Sequence, residues 1–205
     1  MSTTATVLNV AEAAESRVSI RKYTDEPIPR ELIEKVLDAA RRAPSPWNIQ
    51  PWRVWVVSNP ELKLKLQEAA YGQPQVGAAA SVLIVASDMT DALAKADDFI
   101  HPGMAAKKDD LVASIRANFE KMGEEASRQW GFAESNIFLG YLLLALEAYG
   151  IGSSPMLGFD PAKVRELLDL PEHVTFPAIV AIGFKAEEGF NQFRHPIDRF
   201  TTFLD

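Results

Sequence analysis

No cysteine occurs anywhere in the chain. Disulfides, thiolate nucleophiles and iron–sulfur ligation are thereby excluded. Histidine is nearly as scarce: His101, His173 and His195 stand far apart and lack the spacing of a zinc site. Basic charge is in deficit, with 21 Lys and Arg against 28 Asp and Glu and a formal net charge of -7. A protein that neutralises a phosphate backbone usually shows the opposite balance, so no nucleic acid is expected as a partner. No window approaches the roughly 18 uninterrupted apolar residues of a membrane helix. The first ten residues, MSTTATVLNV, lack the basic start and long apolar core of a secretory leader. A cytoplasmic location with no membrane partner is the expectation. Phosphate-loop and G-x-S-x-G patterns are missing, and no carboxylate pair sits in an apolar setting suited to acid–base work. Hydrolase and phosphotransferase chemistry lack support.

What is present is an ordinary globular content. At 205 residues and 47% hydrophobic, the chain can bury the core of one domain spanning 1–205. Apolar residues Val7, Val10, Ala11 and Ala14 recur at helical spacing and predict a short helix over 7–16. The segment RVSIRKYTDEPIP alternates and reads as extended. Pro29 stands where an N1 proline would, and the next helix carries the stripe Leu32, Ile33, Val36, Leu37 and Ala40, with Arg41 and Arg42 in its last turn and Pro44 ending it. β-Formers predict strands at 53–59, 80–88 and 176–185. A helix follows Pro60, and residues 91–128 read as one or two helices broken at His101-Pro102-Gly103. Residues 132–150 form a helix hydrophobic nearly all round, hence central, with Gly150 as its stop. Asp160 and Pro161 open a short helix as N-cap and N1. The tail from 186 is irregular. The fold class is α+β, with few strands and many helices.

Three constellations carry polar chemistry. Arg17, Ser19 and Arg21 are two apart, so an extended chain turns all three to one face. Two guanidiniums and a hydroxyl suit a phosphate, although a solvated basic strip is the plainer account of that spacing alone. APSPWNIQPW, residues 43–52, is a loop stiffened by Pro44, Pro46 and Pro51. Its amides offer both a donor and an acceptor, as a heterocycle requires. Trp52 is expected in the core, and Trp47 either lines a pocket or packs an interface. Gln73 and Gln75 flank Pro74, where both could face one ligand or simply shape a turn. The run GIGSSPMLG, 150–158, tempts a dinucleotide reading, but it follows a helix and fails G-x-G-x-x-G at the third glycine.

In this order, the constellations resemble the FMN-dependent nitroreductase family. R-V-S-I-R at 17–21 is similar to that family's R-x-S-x-[RK] phosphate motif. A-P-S-P-W-N-I-Q-P-W at 43–52 is similar to its A-P-S-x-x-N-x-Q-P-W motif, the most specific of the set. G-Q-P-Q-V at 72–76, S-S-P-M-L-G-F-D at 153–160, I-G-F-K-A-E-E-G at 182–189 and R-H-P at 194–196 complete the likeness. The resemblance implies a nitroreductase-like fold, a mostly antiparallel sheet flanked by helices, in a homodimer with flavin at the subunit interface. It implies that Arg17, Val18, Ser19, Arg21 and Arg194 serve the FMN phosphate and ribityl chain. Gln73 and Gln75 would meet the ring's polar edge, and Pro155, Met156, Leu157 and Gly158 would line the ring. Pro44, Ser45, Pro46 and Asn48 would reach the partner's flavin. Trp47, Trp130 and Phe132 are candidates for the substrate pocket, and Phe99 and Phe119 for its far wall or for ordinary packing.

The same likeness implies a ping-pong reaction. NADH or NADPH would give a hydride to flavin N5, and a nitroarene, quinone or similar small acceptor would collect it. No catalytic side chain is needed, because the flavin carries the chemistry. The alternatives are a flavin-binding protein of this fold without turnover, or a member that dehalogenates or cleaves flavin. Three positions depart from the pattern of some relatives: Gln192 where a Lys precedes the distal Arg, Leu157 where a Glu stands, and Pro46 where a Ser stands.

Overall fold

The computed structural model describes residues 7–204. The leader-free reading of residues 1–6 therefore lies outside the described residues. In chain order the helices are α1 (Val10–Ser16), α2 (Arg30–Ala40), α3 (Pro60–Ala69), α4 (Pro74–Ala78), α5 (Met89–Ala94), α6 (Lys108–Met122), α7 (Glu124–Ala148) and α8 (Pro161–Leu168). The strands are β1 (Trp52–Val57), β2 (Ser81–Ser87), β3 (Gly152–Met156) and β4 (Thr175–Gly183). They form one antiparallel sheet in the order β1-β2-β4-β3.

Alternation along the two central strands sorts the core into layers. Leu83, Val85, Val180 and Ile182 face α2 and α7, meeting Val36, Phe138 and Leu142. Val82, Ile84, Ile179 and Ala181 face the opposite layer, with Leu66, Val76 and Val164 from α3, α4 and α8. Helices on both faces explain why β2 is buried throughout. A third, outlying cluster joins Ile49 to Met89, Phe99, Ile115 and Phe119. Trp52 is in the main core, stacked on Phe138 with centroids 5.1 Å apart. Among the described residues no helix is long and apolar enough to cross a membrane.

Several expectations need correction. Pro29 is the N-cap of α2, with extended backbone, rather than its first helical residue. Arg41 and Arg42 lie just past the helix and clamp Asp38 at 2.6 and 3.3 Å. Gly123, at φ 85°, separates α6 from α7, so the long helix begins eight residues before 132. A fourth strand, β3, occupies 152–156, where small residues and Pro155 hide the usual β signal. The apolar stripe foreseen on α1 is exposed at Val10, and Ala13 is the buried residue. The α7 helix is central on one side only. Away from that side, Phe132, Ile137 and Tyr141 are partly exposed.

Candidate functional site

Residues 17–23 are extended and lie along the free edge of β3. Ser19 bridges Ser153 in parallel, and the Ile20 N–H donates to Ser153 O at 2.9 Å. Ile20 is fully buried, which leaves its neighbours to the other face. The Tyr23 hydroxyl locks the segment further, donating to Ile20 O at 2.6 Å with Ala181 O 3.0 Å away. Burial raises its pKa well above the usual phenol value.

The tail returns along this segment in the reverse direction. Lys185 bridges Tyr23, the Ala186 N–H donates to Lys22 O, and the Glu187 carboxylate accepts from the Arg21 N–H at 2.7 Å. Gly189 turns at φ 71°, and a Cβ there would lie 3.0 Å from Val18 and 3.2 Å from Ser19 O. The tail thus becomes the second wall of a cavity of about 210 Å³. Arg17, Val18, Ser19 and Arg21 line one side of it, and Asn191, Gln192 and Arg194 the other. Nη1 of Arg17 is buried without a hydrogen-bond partner. Three guanidiniums and a hydroxyl around so small a volume suit a phosphate-sized anion.

A second group forms at the far end of β3. Gln73 Nε2 donates to Gly158 O at 2.7 Å, and Gln75 Nε2 donates to Gln73 Oε1 at 2.9 Å. The Gln75 amide also lies 3.1 Å from the sulfur of Met156. The two glutamines therefore share one neighbourhood with Met156 and Gly158, and Leu157 between them is 72% exposed. Gly158 permits the close approach, since a Cβ there would be 3.3 Å from Gln73 Nε2. Met156 is three steps along the strand from Ser153, so the two groups stand about 10 Å apart.

The loop at 44–48 joins neither group. Pro46–Asn48 form one turn of 3₁₀ helix, with Trp47, Asn48 and Gln50 at φ 53°, 60° and 51°. Such left-handed backbone is uncommon outside glycine and needs support. Here the Gln50 N–H donates to Ser45 Oγ, the Gln50 side-chain amide to Asn48 Oδ1, and the Asn48 amide to Phe99 O, all at 3.0 Å. Arg53 ties the loop's exit to α5, donating to Gln50 O and pairing with Asp91. Hydrogen bonds from Lys95 and then Arg53 hold the Asp91 carboxyl below its ordinary range. Trp47 is 49% exposed and packs on Phe119 and Trp130, at 5.8 and 6.3 Å between centroids. Trp130 and Phe132 do not share a face, because residues two apart on a helix diverge. Phe99 and Phe119 are buried core residues of the outlying cluster.

Sequence reasoning missed Asn191, Glu187 and the course of the tail. The one hint was Gly189, whose need for positive φ marks a turn. Among the described residues there is no cluster of potential metal ligands, and His173 pairs with Asp88 at 3.1 Å.

The Nitroreductase family profile matches residues 14–184. A Thermus thermophilus protein named NADH dehydrogenase is 49% identical over 97% of this chain and 98% of its own. YdgI of Bacillus subtilis, assigned as an NAD(P)H nitroreductase, is 32% identical over 91% of this chain and 93% of its own. Among solved structures, one from Exiguobacterium sibiricum, assigned as a nitroreductase in complex with FMN, superposes with a TM-score of 0.88 at 26% identity. It covers 98% of this chain and all of its own.

Proposed function

The chain belongs to the nitroreductase family, and on that premise we propose that it is an FMN-dependent oxidoreductase of a homodimer, drawing electrons from NADH or NADPH. The observation that carries the reading is the cavity that Arg17, Ser19, Arg21 and Arg194 line together, with Arg17 Nη1 buried and unpartnered beside it. A buried cationic donor left without an acceptor is costly, and a phosphate monoester supplies the acceptor.

The residues present fit FMN. Arg17, Val18, Ser19, Arg21 and Arg194 hold its phosphate end. Gln73 and Gln75 meet the polar edge of the ring, and Pro155, Met156, Leu157 and Gly158 lie against it. The distance of about 10 Å along β3 suits a phosphate at one end and a ring at the other. Pro44, Ser45, Pro46 and Asn48 serve the partner's site, which explains a braced loop with no contact to the cavity of its own chain. Trp47 and Trp130 stand on that loop's side and wall the acceptor's pocket. Bound there, FMN supplies a two-electron relay between the nicotinamide and a small acceptor such as a nitroarene or a quinone. The chain's own work is to bind and orient. Its arginines fix the phosphate, its amides set the ring's polar edge, and the stiff loop excludes water from the opposite side.

A homodimer is supported by an apolar groove of about 470 Å³ between α1, α2 and α7, lined by Val10, Ala39, Tyr141, Leu144 and Tyr149. A cytoplasmic location is part of the same proposal.

The test is to purify the protein and measure bound flavin, then add NADH or NADPH without oxygen. The expected result is a yellow protein that bleaches and regains colour with a nitroarene or quinone. A colourless protein that also rejects added FMN overturns the reading. A yellow one that never bleaches points to a carrier.

A further inference from the structure

Gln192 stands in the cavity wall but commits its amide elsewhere. Its Nε2 lies 2.8 Å from Ala14 O, 2.9 Å from Glu15 O and 2.9 Å from Arg17 O. Ala14 and Glu15 belong to the last turn of α1, where carbonyl groups lack intrahelical donors and carry partial negative charge. That turn contains no basic residue, and Arg17 ends the helix in extended backbone. A glycine or a local cation would usually cap such an end. Here the cap comes from the opposite end of the chain.

The clamp has two consequences for the cavity. Among the described residues it is the last hydrogen bond from the tail to the rest of the chain, on a path that follows the extended segment through Tyr23, Lys22, Arg21 and Val18. Beyond Gly189 this amide joins residues 190–194 to the end of α1, two positions before Arg194. It also engages carbonyl oxygens, Arg17's included, beside a site that must accept an anion.

We propose that Gln192 is a positioning residue for a phosphate monoester: by clamping the tail to the end of α1, it holds Arg194 across the cavity from Arg17 and Arg21. The inference rests on the phosphate assignment above. A neutral amide thus serves where some relatives place a lysine, and it acts through Arg194 rather than on the ligand.

The test is to titrate FMN and riboflavin, which differ by the phosphate, into the flavin-free full-length chain. The set is wild type, Gln192→Met, Arg194→Ala and the double variant. Methionine keeps the length of the side chain and loses the amide hydrogens. Q192M should weaken FMN by about tenfold, the size of a charge-assisted hydrogen bond, and leave riboflavin within about twofold. In the Arg194→Ala background it should cost FMN no further affinity, since residues acting through one contact are not additive. Equal losses for both flavins would make Gln192 a general structural residue and overturn the proposal. Full additivity with Arg194→Ala would overturn it as well. A wild type that binds FMN no more tightly than riboflavin refutes the phosphate assignment itself, before any variant is compared.

Discussion

At the scale of single residues, charge and its partners decide the outcome. Arg17 and Arg21 are assigned two charged hydrogen bonds to one phosphate, each worth about 1.5–3 kcal/mol. The double variant Arg17→Ala, Arg21→Ala should therefore weaken FMN by about 100-fold or more, measured by quenching of flavin fluorescence. Unchanged affinity would refute the assignment. Glu134, on α7, is buried, and its Oε2 has no partner among the described residues. Burial raises its pKa above the ordinary carboxylate range. The proton is therefore held more tightly in the native state than in the unfolded chain. Stability is greatest below the unfolded pKa and falls as pH rises through the raised native value. Glu134→Gln should raise the melting temperature at pH 7 by about 2–4 °C, the effect of about 1 kcal/mol in a domain of this size. The gain should shrink as pH approaches the ordinary carboxylate range. The arginines were legible from spacing because period two is a property of extended backbone. Glu134 was not, because burial depends on which face of α7 meets the rest of the fold, and that helix is apolar nearly all round.

At the scale of elements, termini and breaks were the readable parts. Asp160 caps α8 as foreseen, accepting from Ala162 and Lys163 N–H at 2.9 and 3.2 Å. Gly150 follows the end of α7 at φ 76°. The strand β3 was not readable, because its edge pairing with residue 19 is long-range and Gly-Ser-Ser-Pro-Met has little β propensity of its own. The loop at 46–50 was recognised by its residues, but its left-handed backbone was not, since part of its support comes from Phe99, far along the chain. A further terminus offers a test. Asp169 ends α8 at φ 51° and ψ 51°, a left-handed position where glycine avoids the steric cost, and a carboxylate there opposes the helix dipole. Asp169→Gly should stabilise the protein by about 1 kcal/mol, read as a rise of about 2–4 °C in melting temperature. A fall would mean that the carboxylate has a role outside the cap.

At the scale of the molecule, the surface that one chain leaves bare organises the proposal. The groove beside α1 and α7 and the exposed Ile137 and Tyr141 of α7 are apolar surface. The tail adds Phe193 at 90% exposure, with Phe200 and Phe203 also outward. Faces of this kind on a globular domain mark association. Tyr141→Asp should shift the protein toward monomer in light scattering and lower its flavin content, because in the proposed dimer each site borrows the partner's 44–48 loop. A variant that stays dimeric with full flavin would place the interface elsewhere. Sequence pattern alone misplaced this face, since an apolar stripe does not reveal whether it meets its own core or another copy. The cavity itself has a consequence in time. Its walls, residues 17–21 and 190–194, stand at opposite ends of the chain order, and β4 must be paired before the tail can fold back. During synthesis the first wall leaves the ribosome long before the second exists. Binding at this cavity therefore waits until β4 has paired and residues 190–194 have come back along residues 17–21.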